Sequence, residues 1–252
     1  MLGAAALTSL AAMRSGAGLV TVGVPQSLNT ALHKKIASII MTWPLQETKQ
    51  RTLSFSSYSN IKKAFHKHNT LALGPGLSQN PSTRKLILKL IATAPVPMVI
   101  DADALNALSR DHSPLTRNHT PKVLTPHPGE MSLLTGLKKE FIEQNRSAVA
   151  KNFAKKFNCV LLLKGHRTVV ASPGKIYINH TGNPGLATAG SGDVLTGMIA
   201  AFLAQGLSAF EAAKWGAYLH GKAGDRAAKK YSRPSLIASD VIEFIPEAMK
   251  KN

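Results

Sequence analysis

The sequence predicts an α/β fold: a three-layer sandwich in which helices flank a mainly parallel central sheet. Strand and helix patterns alternate along most of the 252 residues, an order that right-handed crossovers turn into parallel strands. Turns rich in Gly, Pro, Asp and His come after strands, so they gather at the carboxyl edge of the sheet, where such folds bind ligands. A hydrophobic fraction of 44% against 17% charged residues is that of a globular chain with a full core. No linker, low-complexity tract or internal repeat interrupts it, and one domain over 1–252 is expected.

The elements follow in order. Residues 3–15 make an Ala-rich helical pattern carrying Leu7, Leu10 and Met13, and Gly16-Ala17-Gly18 ends it. Residues 19–24 read as a strand that Pro25 stops. Residues 57–67 suit a helix, and 70–73 form a short strand running into Gly74-Pro75-Gly76. Residues 83–92 are an amphipathic helix, 96–101 a strand with an acidic end, and 102–109 a short helix. Residues 122–125 form a strand that ends in Pro126-His127-Pro128-Gly129-Glu130, and helices follow to Phe157. Residues 160–164, 167–171 and 175–179 read as strands, the last two joined by a Ser172-Pro173-Gly174 turn. Two or three helices complete the chain.

Composition excludes several classes. The single Cys159 rules out an intrachain disulfide and a cysteine-pair metal site, and its setting reads as a buried strand start. No apolar run is long enough to span a bilayer; the stretch 86–91 is broken by Lys89. The Ala-rich start lacks the charged-then-apolar order of a signal peptide, so a cytoplasmic location is expected. The net charge of +18 comes from 31 Lys and Arg against 13 acids. The basic residues are scattered in pairs such as Lys34-Lys35, Lys155-Lys156 and Lys250-Lys251, with no aromatic ladder or zinc-finger spacing among them. That predicts a solvated basic surface, useful for attracting anionic cofactors, and no specific nucleic-acid partner and no membrane partner.

Most of the chemical information lies in 184–195, where Gly190-Ser191-Gly192-Asp193 runs into the helical pattern Val194, Leu195, Met198, Ile199, Phe202, Leu203. A small-residue loop feeding a helix start collects unpaired backbone N–H groups at the positive end of the helix dipole, an anion site. Gly190, Ser191 and Gly192 are the candidate anion hole. A carboxylate there would repel a bound phosphate, so Asp193 makes sense as a base that takes a proton from a hydroxyl reacting at phosphorus. A P-loop, a complete dinucleotide fingerprint, a His-Glu-x-x-His helix and a Gly-x-Ser-x-Gly elbow are all missing. Other loops add candidates. Gly74-Pro75-Gly76 permits close backbone approach. Asp101 and Asp103 suit a Mg2+ or hydroxyl contact, or a helix cap for one of the two. His127 is aimed by flanking prolines, and Lys164-Gly165-His166-Arg167-Thr168 offers cations and open backbone to nucleotide phosphates.

Taken together, these loops resemble the ADP- or ATP-dependent NAD(P)H-hydrate dehydratase family, which has a ribokinase-like fold. The matching strings are Arg14-Ser15-Gly16-Ala17-Gly18-Leu19-Val20, Gly74-Pro75-Gly76-Leu77, Asp101-Ala102-Asp103-Ala104-Leu105-Asn106, Thr125 to Glu130, Lys164-Gly165, Gly182-Asn183-Pro184-Gly185 and Gly190-Ser191-Gly192-Asp193. The resemblance implies phosphorylation of the C6 hydroxyl of hydrated NADH or NADPH (the S epimer) by ADP or ATP, followed by loss of phosphate. It implies Asp193 as catalytic base; Ala4, Gly76, His127 and Asp193 at the hydrated cofactor; Lys164, Gly165, His166, Arg167, Thr168 and Gly192 at the nucleotide; Mg2+ with the nucleotide phosphates; and a homotetramer. Ala189 stands where the family has glycine. The residues from Met1 to Ala5 fall inside a region that the family precedes with a strand and a glycine loop, so the expectation is either a mis-assigned start or a sheet short of one strand, with an exposed edge and an opened pocket. Two other readings share parts of this pattern: a ribokinase-like kinase of a small vitamin-precursor alcohol, and a non-catalytic basic binding protein.

Overall fold

A computed structural model describes residues 1–36 and 38–250; Lys251 lies outside the described residues. The chain runs α1 (Leu2–Arg14), β1 (Thr21–Pro25), α2 (Asn29–His33), β2 (Met41–Leu45), α3 (Tyr58–Ala64), β3 (Leu71–Leu73), α4 (Pro81–Thr93), β4 (Met98–Ile100), α5 (Ala102–Leu108) and α6 (Ser113–Thr116). It continues with β5 (Lys122–Leu124), α7 (Pro128–Thr135), α8 (Lys139–Gln144), α9 (Arg146–Phe157), β6 (Val160–Leu163), β7 (Val169–Ala171), β8 (Ile176–Ile178), α10 (Ser191–Ala204), α11 (Ala209–Tyr231) and α12 (Ala238–Met249).

Six strands form the main sheet in the order β3-β4-β5-β6-β7-β8. The first four are parallel and the last two antiparallel. Every residue of β4, β5 and β6 is buried, as expected of parallel strands covered on both faces. Alternate strand residues face two cores. Met98, Ile100, Leu124, Leu161 and Leu163 face one, with α4, α5, α7 and α9. Val99, Val123, Val160 and Leu162 face the other, with α10, α11 and α12. Cys159 is buried where β6 starts, and burial pushes its thiol up to about 12.

Local signals set the helix limits. Asn80 accepts the Ser82 N–H at 2.9 Å, with Pro81 in the first turn, so α4 starts there. Ser208 caps α11 in the same way. α9 ends on Asn158 in the left-handed region, φ 47°.

Two features depart from the sequence reading. β2, with Pro44 inside it, was not expected at all, because proline in a strand reads as a break. It is tolerated since, among the described residues, β2 has one strand partner, β1. β1 and β2 also stand apart from the main sheet as a parallel pair of their own, where the sequence suggested one continuous sheet. Residues of β1 and β3 both line an apolar cavity of about 340 Å³, with Val22, Val24, Leu71 and Leu73 among its walls. No strand among the described residues lies against the second edge of β1 or of β3.

α1 packs closely onto α10. Gly197 has no room for a side chain: a Cβ there would run into the Thr8 carbonyl oxygen and lie 3.0 Å from Ala11 Cβ. Gly216 and Gly224 of α11 make similar room for Ile199 and Leu186. A Gly197→Ala substitution should therefore force the two helices apart and cost about 3 kcal/mol. At roughly 2–4 °C per kcal/mol for a chain of this size, the thermal midpoint should fall by several degrees.

Candidate active site

The loop 181–190 delivers the start of α10 to the carboxyl edge. It is held from α11: Asp225 accepts the Gly182 N–H at 2.8 Å and the Asn183 side-chain amide at 3.0 Å, and Asn183 also donates to the Gly224 carbonyl at 3.0 Å. Gly190 then turns the chain with φ 87°, and a Cβ there would sit 2.5 Å from Leu7 of α1. Both facts require glycine. Val194 N–H donates to the Gly190 carbonyl at 3.1 Å, and the Ser191 N–H to Thr188 at 3.3 Å. Among the described residues the amides of Gly190, Gly192 and Asp193 have no acceptor. The open donors therefore differ from the expected trio: Ser191 has its amide taken, and Asp193 adds its own. Ala189 is exposed, so its methyl group does not crowd the turn.

Asp193 follows in the first turn of α10 and is half-buried. Its carboxyl is pushed up to about 6, first by burial and next by the Asp101 carboxylate, with Lys164 pulling the other way. The neighbouring Ser191 hydroxyl lies 3.2 Å from His220 Nε2 of α11. Burial pushes His220 down to about 4, so the imidazole is neutral at physiological pH.

Beneath this turn lies a polar chain. Asp101, 2% exposed, ends β4; its Oδ1 accepts from Lys164 Nζ at 2.8 Å and its Oδ2 from Thr196 Oγ1 at 2.8 Å. Lys164 Nζ is also 3.7 Å from Glu130 Oε2. Burial opposes the Lys164 charge, but Asp101 and Glu130 outweigh it and hold the ammonium above its ordinary value. Glu130 Oε2 accepts the His127 N–H at 2.9 Å, while His127 Nδ1 accepts the Glu130 N–H at 3.2 Å, a reciprocal cap on α7. That bond places the neutral imidazole's proton on Nε2, by inference from the acceptor role of Nδ1. His127 Nε2 lies 3.6 Å from Glu130 Oε2, and the side chain is 56% exposed.

Neither aspartate of the 101–106 string caps α5 through its side chain, contrary to the capping expected for one of them. Asp101 is drawn away by Lys164 and Thr196. Asp103 instead accepts from the Ser78 N–H at 2.7 Å and the Gln79 side chain at 2.9 Å, fastening the loop after Gly76. Gly74, φ 129°, lies so close to Asp101 that a Cβ would strike its carbonyl oxygen.

Gly76 and Ala4 are neighbours: a Cβ on Gly76 would be 3.2 Å from that of Ala4. Gly165, His166 and Arg167 are exposed, and Thr168 Oγ1 closes their turn on the Gly165 carbonyl at 2.9 Å. The Lys164 side chain leaves that group and turns inward. Sequence reasoning missed Thr196, His220 and Asp225. Each lies inside a helical pattern, and only the fold brings it to the site.

A mainly parallel sheet with an open helix N-terminus and a raised aspartate at its carboxyl edge defines a class: a ribokinase-like protein. A sequence profile of the NAD(P)H-hydrate dehydratase family matches residues 1–247, and the chain belongs to that family. It is similar to the bifunctional NAD(P)H-hydrate repair enzyme of Moorella thermoacetica, 47% identical over 98% of this chain and 47% of the relative. It is also similar to the ADP-dependent (S)-NAD(P)H-hydrate dehydratase of Xanthomonas campestris, 34% identical over 97% of this chain and 82% of that one. Among solved structures, the ADP/ATP-dependent NAD(P)H-hydrate dehydratase of Bacillus subtilis, co-crystallised with ATP and Mg2+ and soaked with coenzyme A, superposes with TM-score 0.80. Identity is 31%, covering 98% of this chain and 86% of that one. The chain spans about half the length of the bifunctional relatives it matches.

A carboxyl raised in the folded state strains the fold whenever it is ionised. The strain is fully present at neutral pH, begins to fall as the pH drops through about 6 where the folded carboxyl takes up its proton, and is gone only below the ordinary value of 3.8. Asp193→Asn should therefore raise stability at neutral pH by about 1 kcal/mol, after a discount for partial exposure. The difference in thermal midpoint between the two proteins should shrink toward zero on acidification.

Proposed function

We propose that the chain dehydrates hydrated NADH and NADPH, the S epimer, back to NADH and NADPH with ADP or ATP as phosphoryl donor. The observation that carries this reading is Asp193: a carboxyl pushed up to about 6, set among amides with no acceptor. The names of the similar proteins support the substrate and the nucleotide.

In this reading Asp193 takes the proton of the C6 hydroxyl as its oxygen attacks the terminal phosphorus of the nucleotide. The amides of Gly190, Gly192 and Asp193 hold the charge on the moving phosphoryl oxygens, since this chemistry is mostly positioning and charge stabilisation. Phosphate then leaves from that ester. The C6–O bond breaks, a proton departs from C5, and the 5,6 double bond returns. The products are the reduced cofactor, phosphate and a nucleotide one phosphate shorter. Ala4 and Gly76 form a close-packed floor for the hydrated ring, and His127 Nε2–H is a donor to it. Gly165, His166, Arg167 and Thr168 meet the nucleotide, with Gly192 at its terminal phosphate.

No group of three or more His, Cys, Asp or Glu among the described residues is placed to hold a metal ion. Mg2+ is accordingly read as arriving with the nucleotide's own phosphates. No helix among the described residues is long and apolar enough to cross a membrane. One ribokinase-like domain, a homotetramer and a cytoplasmic location belong to the same reading.

The test follows the absorbance of the dihydronicotinamide as the protein acts on hydrated NADH with Mg2+ and either ADP or ATP. Recovery of the band is expected, with an acid limb near pH 6 set by Asp193. Asp193→Asn should lower kcat by about 10²–10⁴. A stable phosphorylated product with no recovered band would instead mark a small-molecule kinase.

A further inference from the structure

Arg146, the first residue of α9, is half-buried beside the end of β6. Its Nη2 donates to the Leu163 carbonyl at 2.7 Å and to the Lys164 carbonyl at 3.1 Å, across 17 and 18 residues of chain. A Cβ built on Gly165 would stand 3.0 Å from its Nη1. The guanidinium therefore lies against the bare backbone of Gly165, whose φ of 138° also calls for glycine.

This placement is costly where it stands. Among the described residues Arg146 forms no ion pair, and its Nε is buried with no partner. Burial holds the guanidinium below its ordinary value, with the Glu143 carboxylate pulling the other way. What the side chain grips is the root of the 165–168 turn. A trans peptide is planar, with its C=O and N–H opposed. Holding the Lys164 carbonyl on Arg146 thus points the Gly165 N–H away from the guanidinium. Gly165 is exposed, and the amides of Gly165, His166 and Arg167 have no acceptor among the described residues. Arg167 takes a left-handed φ of 53°, and the Thr168 hydroxyl closes the turn on the Gly165 carbonyl at 2.9 Å.

We propose that Arg146 is a positioning residue for the nucleotide: its bonds to the Leu163 and Lys164 carbonyls aim the Gly165 N–H, with the two amides after it, at an acceptor of the nucleotide. Its charge, answered by no carboxylate within ion-pair distance, adds a field behind the turn that favours an anion. The two carbonyls would lose their donor without it, and a turn with two residues at positive φ would lose its footing. The inference rests on the reading of residues 165–168 as the nucleotide's turn.

The experiment is calorimetry of the full chain with ADP and Mg2+ for the wild type, Arg146→Met and Arg146→Lys, joined to steady-state kinetics on hydrated NADH and nitrogen-15 NMR of the wild type. ADP affinity should fall about tenfold in Arg146→Met, the scale of hydrogen bonds made by a charged group. KM for the nucleotide should rise by about as much, while kcat and KM for hydrated NADH stay within about twofold. Arg146→Lys, which can still donate to the carbonyls, should bind ADP more tightly than Arg146→Met. In the wild type, ADP should shift the Gly165 amide signal. A loss of ADP affinity under about threefold in Arg146→Met, or an equal rise in both KM values, overturns the proposal. So does a lysine variant that binds ADP no better than the methionine one. Should Arg146→Met fail to fold, the wild-type signal decides: a shifted Gly165 amide supports the proposal and an unmoved one overturns it. A wild type that binds neither ADP nor ATP sinks the nucleotide reading itself, and this inference with it. Nucleotide binding that the variants leave unchanged overturns this inference alone. If ADP binding responds as expected while no dehydratase activity is found, the proposed function falls and the role of Arg146 stands.

Discussion

The carboxylate of Asp101 holds the edge of the candidate site together. One oxygen takes the Lys164 ammonium from the end of β6, the other the Thr196 hydroxyl from inside α10. Its backbone carbonyl lies against Gly74 from the end of β3. A buried charge must be paired and hydrogen-bonded on every side, or its desolvation cost is not met. Satisfying that one group fixes two strand ends and a helix relative to each other. The helix so fixed is the one whose first amides are left open.

The same electrostatics set the state of Asp193. Asp193 sits where a helix N-terminus favours a negative charge, yet burial and Asp101 push its carboxyl upward. The result lies between a free carboxylate and an inert protonated acid, the range in which a side chain can exchange protons near neutral pH. Stability is given up for this, as is common where function needs strain. The glycines and alanines on the faces of α1, α10 and α11 serve the same end. They let the helices approach closely enough to hold the turn from Leu7, Ala238 and Asp225.

How much of this was readable in advance varied with range. The Gly190 to Asp193 turn is local, and its residue types announce it. β2 was hidden because Pro44 argues against a strand unless one edge is free. The capping expected of Asp101 or Asp103 failed because capping competes with partners that lie far away in the chain. Lys164 is 63 residues and Thr196 95 residues from Asp101. His220 and Asp225 read as ordinary positions on a helix, and nothing local separates them from their neighbours.

The sequence by itself determined the alternation of strands and helices and the glycine turn that feeds α10, because each depends on residues a few places apart. Only the tertiary structure decided which amides stay open, which way Lys164 turns and how β1 and β2 separate from the main sheet. Those outcomes are set by charges and close contacts between segments that meet only after folding.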